Sequence, residues 1–576
     1  MARVATWGVV AAALLVVAVA ARYPYPLDQG DQGKQAQYVL DCVVNHHLLV
    51  PSESGSTPAT KPPLYTWLAV VCARAGGVSV ATVQLPALAA GFALALVVLA
   101  LARRLLPERA AVAATLAFLT CHHFVRITSF IRTDGLLTLF LTLQLYLYVR
   151  TWEPVEPRHD LLQGCESRPG GGPVLGHLVS RWFSNGSRSG RRETSPRHDR
   201  PSPSDSRERP RPSTGTIALL CLASAAAWLT KGPIGGLASV VIGLHLGLRG
   251  RARAAIPLAV VPALAGVVAL GVWFAAAVAT RGAAVYETMV VGELRHHTVG
   301  HGLTNPLYYL VTTAVRITPW QLLLPAAIGI GWRAGRAGGW RHLSPEQSLL
   351  LLWPAVWLVA LSLISHQRPD LFFPAEPALF LLLGRIALEP GGRPYLVGLA
   401  LLLVAGGGAV ASGLAGGVVG DGAPAWVGGA AGVALLAGGA LAWRGRRAGL
   451  VAAFGALGAA ALANLLLAFA GNSAVHRAAS FADFGKAVRE QAAARSARLV
   501  AVGVVAPSPL FHLRLAEPPV AIAALADLGT PLMVVCPQTA VAAVTAALSG
   551  CTAVATSSTA EEDGVRDLVA LACGGR

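Results

Sequence analysis

Residues 84–104 read QLPALAAGFALALVVLALARR, an apolar stretch that ends in a pair of arginines. A helix needs about 20 mostly apolar residues to cross the hydrocarbon core of a bilayer, and this stretch is long enough. Arginine and lysine accumulate in the cytoplasmic loops of membrane proteins. The stretch is therefore predicted to be a transmembrane helix whose end at Arg103 and Arg104 faces the cytoplasm.

Comparable apolar stretches recur along most of the chain, and roughly 13 of them are long enough to span a membrane. They lie at about 5–21, 84–102, 110–126, 135–150, 215–230, 233–248, 254–279, 307–330, 348–364, 374–388, 394–416, 424–443 and 449–470. The chain is 54% hydrophobic and 13% charged, with a mean hydropathy of +0.57. So little charge cannot cover a soluble protein of 576 residues, so the composition predicts an α-helical polytopic membrane protein.

The charged residues between these stretches are sorted by side. If the sides alternate after each stretch, one side receives Arg103, Arg104, Arg109, Arg249, Arg251, Arg253, Arg333, Arg336, Arg341, Arg444, Arg446 and Arg447. The other side receives Asp31, Lys34, Lys61, Arg132, Asp134, Lys231, Glu293, Arg295, His296, His297, His301 and Arg368. The arginine-rich side is predicted to be cytoplasmic, so the chemistry is expected at the outer face of a bacterial-type inner (plasma) membrane.

The same sorting predicts a cytoplasmic N-terminus and an extracytoplasmic C-terminus. Residues 1–21 also fit a cleavable secretory signal, and both interpretations place the following loop outside. The net charge of +17 is explained by this topology and by attraction to anionic membrane lipids, so no nucleic-acid partner is expected.

Three parts of the chain are not predicted to span the membrane. The outer loop at 22–84 should contain interfacial helices near 33–45 and 64–75. The segment 151–213, rich in Arg, Ser and Pro, is predicted to be a disordered cytoplasmic insertion within the membrane domain 1–471. The tail at 472–576 alternates helix-like and strand-like segments, which predicts a small extracytoplasmic α/β domain.

Two acidic residues and one lysine in the outer loop are candidates for chemistry. Asp28 and Asp31 follow the first span, and a carboxylate there could act as general base toward a hydroxyl or amine acceptor. Asp31 could equally cap the helix that follows it. Lys61 precedes a Pro-Pro pair at a predicted helix start, where a cation and free N–H groups suit a phosphate.

Later outer turns add further candidates. Arg132 and Asp134 lie at one turn and Lys231 at the next, where a structural ion pair is as good an interpretation as ligand binding. Arg368 could join an anionic pocket or extend along the interface to reach water. Arg295 is a candidate phosphate ligand because its guanidinium presents a fork of donors. Beside it, a divalent metal site is left open for Glu293, His296, His297 and His301.

Taken in order, these motifs resemble the GT-C superfamily of membrane glycosyltransferases. The closest branch holds the lipid A aminoarabinose transferases and the bacterial relatives of protein O-mannosyltransferases. The matching positions are Asp31 with Leu49-Val50-Pro51, Lys61-Pro62-Pro63-Leu64 with Trp67, Arg132-Thr133-Asp134, Leu229–Pro233, Tyr308-Tyr309 and Pro319-Trp320. The resemblance extends to about residue 380, and beyond it only the architecture matches.

The resemblance implies a glycosyltransferase that uses a polyprenyl-phosphate-linked sugar, with inversion at the anomeric carbon. Asp31 would be the catalytic base toward an acceptor lipid, glycan or protein, as in lipid A modification or protein O-glycosylation. The donor phosphate would be bound by Lys61, Arg295, Lys34, Lys231 and Arg368. Structural or substrate-shaping roles would fall to Asp28, Arg132, Asp134, Glu293, Tyr308 and Tyr309.

Two acidic positions of the family motifs are replaced here by Gln32 and Thr60. No cofactor is therefore implied with certainty, although a divalent metal stays an alternative. A non-catalytic protein that binds polyprenyl phosphate is a second interpretation. A lipid or solute transporter is a third, although transporters usually show repeated halves and midplane charges, which this sequence lacks.

Overall fold

The computed structural model describes residues 2–22, 24, 27, 31–55, 57–152, 212–292, 307–325, 343–364, 367–386, 393–411, 425–445, 453–465, 481–504, 506–529, 531–561 and 564–574. Over these residues the chain is mostly α-helical, with a four-stranded sheet near its C-terminus. The predicted insertion at 151–213 lies almost entirely outside the described residues.

The helices of the N-terminal half are α1 (Ala2–Arg22), α2 (Gln32–Val44), α3 (Leu64–Gly76), α4 (Val80–Leu105), α5 (Glu108–Thr120), α6 (His122–Ser129), α7 (Asp134–Arg150), α8 (Thr214–Lys231), α9 (Leu237–Leu248), α10 (Val261–Arg281) and α11 (Ala283–Tyr286). Those that follow are α12 (Leu307–Arg316), α13 (Pro345–Ser362), α14 (Glu376–Ile386), α15 (Arg393–Ala411), α16 (Ala425–Arg444) and α17 (Ala453–Leu465). A 3₁₀ segment, Pro369–Ala375, leads into α14.

Three helical stretches in the described part of the chain are long and apolar enough to cross a membrane: Val80–Leu105, Thr214–Leu248 and Ala252–Arg281. Helices α5 and α6 meet the same condition together but are bent by 56°. Several other predicted spans coincide with shorter apolar helices or fall partly outside the described residues. The number of about 13 spans therefore stays a prediction.

The stretch Thr214–Leu248 breaks at the turn that the sequence predicts after Lys231. Gly232 adopts a φ of +68°, a conformation that favours glycine. A Cβ on Gly235 would lie 2.6 Å from the carbonyl carbon of Ala227. Residues eight apart in a continuous helix are about 12 Å apart, so the chain must fold back onto α8 here.

Two of the stretches predicted as spans, 110–126 and 307–330, are interrupted within the described residues. The first is divided at Cys121 between α5 and α6. In the second, α12 ends at Arg316, whose guanidinium forms an ion pair with Asp370. Asp370 thus gives the charge of Arg316 a partner at the end of α12, because an unpaired charge among apolar residues is costly.

The outer loop contains the two helices expected from its sequence, α2 and α3, and a short hairpin between them. Strands β1 (Ser52–Glu53) and β2 (Thr57–Pro58) pair antiparallel in this hairpin. Helices α2 and α3 pack together, and Gln35 donates a hydrogen bond of 2.6 Å to Thr66 between them. The loop is thus an ordered unit next to the apolar helices.

The C-terminal region forms a sheet with the order β3-β4-β6-β5. Its elements are α18 (Ala482–Ala494), β3 (Arg498–Ala501), α19 (Pro507–Leu513), β4 (Leu532–Pro537), α20 (Val541–Ala547), β5 (Thr552–Glu561) and β6 (Gly564–Cys573). Helices α18 and α20 and strands β3, β4 and β5 overlap the segments whose sequence is helix-like (480–496, 539–549) or strand-like (498–506, 531–536, 551–556). Helix α19 is not predicted from the sequence. Strand β6 is not predicted, because its Leu/Ala-rich segment favours helix and only pairing with β4 and β5 makes it a strand.

The C-terminal region contacts the outer loop along α2. Gln37 donates a 2.7 Å hydrogen bond to the carbonyl oxygen of Leu515. A Cβ on Gly33 would lie 3.1 Å from the backbone nitrogen of Ser508. A Cβ on Gly55, in the hairpin, would lie 2.6 Å from the ring of Pro518. Small residues therefore allow the two regions to pack backbone to backbone.

Close packing of α8 and α10 provides a test of the fold. A Cβ on Gly266 would lie 2.2 Å from the indole of Trp228, so Gly266→Ala is expected to lower the free energy of unfolding by about 1–3 kcal/mol. The matched control is Gly271→Ala on the same helix, where a Cβ meets nothing within 4 Å and alanine favours helix. Thermal unfolding in detergent measures both, and equal transition temperatures would contradict the packing.

Candidate active site

The carboxylate of Asp31 is surrounded by three cationic side chains. Its Oδ2 accepts a hydrogen bond of 2.8 Å from Lys61 Nζ and one of 2.9 Å from Arg368. Arg132 lies 3.8 Å from the same oxygen. Asp31, Lys61 and Arg368 each keep about a quarter to a third of their side chain exposed, so a ligand can reach them.

The local sequence explains how Asp31 and Lys61 meet. Asp31 immediately precedes α2, and Lys61 precedes the prolines that lead into α3. Packing of α2 against α3 brings these two helix starts together. The side chain of Asp31 makes no capping hydrogen bond to α2, so its interpretation as a helix cap is wrong. The ion pairs occupy its carboxylate instead.

The cations control the ionisation of Asp31. Burial alone would raise the pKa of this carboxyl group, but the charge and hydrogen bond of Lys61, with Arg132 and Lys34 nearby, lower it to about 2. Asp31 is therefore a stable anion at neutral pH. A carboxylate with so low a pKa is also a weak base, because base strength follows pKa.

A second carboxylate, Asp370, connects the site to the helices behind it. It forms ion pairs with Arg132 and with Arg316, the latter at 2.6 Å. His123 Nε2 lies 3.3 Å away and Arg126 3.9 Å away. Burial would raise the pKa of Asp370, but the hydrogen bond from His123 and the charge of Arg132 hold it well below its usual range. Arg132 thus lies between Asp31 and Asp370.

His123 extends these contacts into the helical core. Its Nδ1 lies 2.5 Å from a carboxylate oxygen of Glu376, and both side chains are fully buried. We call the connected side chains the Asp31–Asp370 network; its members are Asp31, Lys61, His123, Arg126, Arg132, Arg316, Arg368, Asp370 and Glu376.

The Asp31–Asp370 network carries more positive than negative charge. Counting only its described members, five arginines and lysines face three carboxylates. An excess of cations in a partly buried site attracts an anion, and arginine forks match the oxygens of a phosphate. The arrangement can therefore bind a phosphate beside a carboxylate.

Four members of the network are among the candidates predicted from the sequence, and five are not. Asp31, Lys61, Arg132 and Arg368 were candidates and lie together. The missed residues are His123, Arg126, Arg316, Asp370 and Glu376. Each lies in or beside an apolar stretch, and a titratable residue there needs a partner or a function. That rule was the available signal for them.

The remaining candidates lie around the network or outside the described residues. Lys231 pairs with Asp134. Lys34 lies 3.6 Å from Glu53 and is about half exposed. Tyr309 is buried and stacks on Phe372, with Tyr308 against its edge. The candidates outside the described residues are Asp28, Glu293, Arg295, His296, His297 and His301.

The metal alternative rests on residues that the structure does not describe. Its three histidines and Glu293 fall within 293–306. Within the described part of the chain, no group of three His, Cys, Asp or Glu side chains is arranged to hold a metal ion. The metal site thus stays a prediction from the sequence.

Known proteins share this fold. A family model described as dolichyl-phosphate-mannose-protein mannosyltransferase matches residues 60–165, which include Lys61, Arg132 and Asp134. The crystal structure of ArnT from Cupriavidus metallidurans bound to undecaprenyl phosphate is similar, with a TM-score of 0.66 and 18% identity. The similarity covers 98% of this chain and 97% of that chain. No curated protein matches the sequence significantly.

The apo structure of the same ArnT is similar over the same shares of the two chains, 98% and 97%, with a TM-score of 0.63 and 19% identity. At this level of identity the similarity concerns the fold. Together with the family match, it confirms the resemblance to the GT-C superfamily that the sequence motifs predict.

Asp370 should be essential for stability. The change Asp370→Asn leaves Arg132 and Arg316 without their buried carboxylate, so the free energy of unfolding should fall by about 3 kcal/mol. Thermal unfolding in detergent measures the loss. Asp527→Asn is the control, because Asp527 is exposed in the C-terminal region. An unchanged transition temperature for Asp370→Asn would contradict the role of Asp370 as the centre of the network.

Proposed function

We propose that this chain, which has the GT-C fold, transfers a sugar from a polyprenyl-phosphate donor to an acceptor at the extracytoplasmic face of a membrane. One observation carries the proposal. Lys61, Arg132 and Arg368 come from three separate parts of the sequence and converge on a single carboxylate oxygen of Asp31. A base and a set of phosphate-binding cations in contact are what such a transfer requires.

The reaction is a displacement at the anomeric carbon of the donor sugar. An acceptor hydroxyl or amine attacks that carbon, the bond to the phosphate oxygen breaks, and polyprenyl phosphate leaves. Asp31 takes the proton of the acceptor. Lys61 and Arg368 stabilise the negative charge that develops on the leaving phosphate. Attack from the side opposite the phosphate inverts the anomeric centre.

The donor class is supported by the similar structure of ArnT, which is bound to undecaprenyl phosphate. It is also supported by the excess of positive charge in the Asp31–Asp370 network, which suits a phosphate. The acceptor is a lipid, a glycan or a protein, and the sugar is a hexose or a pentose. The chain also has helices that are long and apolar enough to cross a membrane, and beside such helices the lipid chain of the donor would stay in the bilayer.

One observation favours a second candidate function, a non-catalytic protein that binds polyprenyl phosphate. The pKa of Asp31, lowered to about 2 by Lys61 against the effect of burial, makes its carboxylate a weak base in the absence of donor. Sugar transfer distinguishes the two functions, because a binding protein holds the phosphate without turning over the donor.

Substitutions in the site separate the two roles assigned there. Asp31→Asn keeps the size of the side chain and removes the base, so turnover should fall by about 10²–10⁴-fold while donor binding persists. Lys61→Met removes a phosphate ligand and should weaken donor binding as well. The measurement is release of labelled sugar from a panel of polyprenyl-phosphate sugars by membranes that contain each variant.

Two outcomes of that assay would count against the proposal. Equal turnover by wild type and Asp31→Asn would remove Asp31 from the role of base. Absence of turnover by the wild-type protein with every donor and acceptor tested would favour the binding protein. Glu108→Gln is the control, because Glu108 pairs with Arg103 and is separate from the Asp31–Asp370 network.

The pH dependence follows from the pKa of Asp31. Because the folded, donor-free pKa is about 2, below the usual 3.8, Asp31 is ionised at every pH above about 4. The profile of kcat/KM reports the free enzyme, so it should show no acidic decline from Asp31 between about pH 4 and pH 7. A decline centred near about pH 5 would show that a different group acts as base.

A further inference from the structure

We infer that the donor phosphate and Asp31 compete for the same two cations, Lys61 and Arg368, so that binding of the donor releases the base for reaction. The inference rests on the proposed function and concerns the regulation of that same site. It assigns to donor binding a second effect beyond placing the sugar.

The geometry supports the competition. Lys61 and Arg368 both donate to one oxygen of Asp31, at 2.8 and 2.9 Å. Within the described part of the chain, neither side chain has an ion pair with a second carboxylate. A phosphate that enters beside Asp31 offers these two cations more acceptor oxygens and a charge that is less buried than an unpaired carboxylate would be. The positive charge of Lys61 and Arg368 is then divided between the phosphate and Asp31, so their hold on the carboxylate weakens even where a side chain keeps a donor on both anions.

Arg132 differs from these two cations because it is anchored elsewhere. It forms an ion pair with Asp370, and only 7% of its side chain is exposed. At 3.8 Å from Asp31 it is close enough to hold the carboxylate in place but too far for a direct hydrogen bond. Lys61 and Arg368 can thus turn from Asp31 to the phosphate, whereas Arg132 stays paired with Asp370.

The exchange reconciles two requirements of the reaction. A base clamped by two cations binds a proton poorly, whereas a base beside a phosphate anion binds a proton more strongly. Donor binding therefore raises the basicity of Asp31 at the moment when the acceptor must lose its proton. Without donor, Asp31 stays neutralised by Lys61 and Arg368, and the site attracts neither a stray cation nor the acceptor proton.

Linkage makes the competition measurable. If phosphate binding favours the protonated form of Asp31, then protonation of Asp31 must strengthen phosphate binding by the same factor, and Asp31→Asn imitates the uncharged carboxyl group. Asp31→Asn should therefore bind undecaprenyl phosphate about tenfold more tightly than wild type, the factor that corresponds to exchange of one charged hydrogen bond. If Asp31 has no influence on the two cations, wild type and Asp31→Asn should bind with equal affinity. If Asp31 instead holds the cations in position for the phosphate, Asp31→Asn should bind more weakly.

The experiment measures the affinity of the protein in lipid nanodiscs for undecaprenyl phosphate. It compares wild type, Asp31→Asn, Lys61→Met and the double variant. The gain from Asp31→Asn should shrink in the Lys61→Met background, because the contested cation is then absent. Glu108→Gln is the control. Glu108 pairs with Arg103 and is separate from the Asp31–Asp370 network, so this change should leave the affinity unchanged.

The outcomes separate the inference from the proposed function. If wild type binds undecaprenyl phosphate and Asp31→Asn binds it no more tightly, the inference is overturned and the proposed function stands. If wild type does not bind undecaprenyl phosphate, the proposed donor is wrong and the inference falls with it. Tighter binding by Asp31→Asn that depends on Lys61 supports the inference.

A second measurement needs no variant, so it holds even if Asp31→Asn fails to fold. The donor is a phosphate diester, which does not titrate above about pH 3, so the pH profiles report the protein. As the pH is lowered, kcat, which describes the donor-bound enzyme, should begin to fall at a higher pH than kcat/KM does. Coincident profiles would overturn the inference.

Discussion

The whole site depends on neutralising Arg132 where its side chain is almost completely buried. A buried guanidinium without a carboxylate is strongly destabilising. Asp370 provides the close partner, and Asp31 lies on the other side at 3.8 Å. Because these carboxylates lie on the 3₁₀ segment Pro369–Ala375 and at the start of α2, one arginine fixes how the outer loop meets the later helices.

The need to neutralise buried Arg132 also explains which cations pair with Asp370 and which pair with Asp31. Asp370 pairs with Arg132, Arg316 and His123, so its negative charge is balanced by these partners. Asp31 instead pairs with Lys61 and Arg368, which are both partly exposed. An anion that enters beside Asp31 therefore meets the same two cations. In the proposed mechanism, donor binding and the basicity of Asp31 are coupled by charge balance rather than by a moving segment.

Sequence reasoning recovers the part of this arrangement that local patterns encode. Lys61 before a Pro-Pro pair and Asp31 after an apolar stretch are visible in short windows, and so are α2 and α3. The contribution of Asp370 is not visible, because its value depends on Arg132, Arg316 and His123, which are up to 247 residues away in sequence. The apolar stretch that contains Arg316 is therefore predicted as one helix, because the sequence does not show that Arg316 pairs with Asp370.

The C-terminal region is tied to the site through α2, which no sequence pattern shows. The backbone of Ser508 approaches Gly33 so closely that a Cβ there would lie 3.1 Å from its nitrogen, and Gly33 is two residues from Asp31. The bond from Gln37 to Leu515 continues this contact one turn further along α2. A displacement of the C-terminal region would therefore move the start of α2. Since two hydrogen bonds to one oxygen of Asp31 depend on that position, the C-terminal region restrains the carboxylate that is proposed as the base.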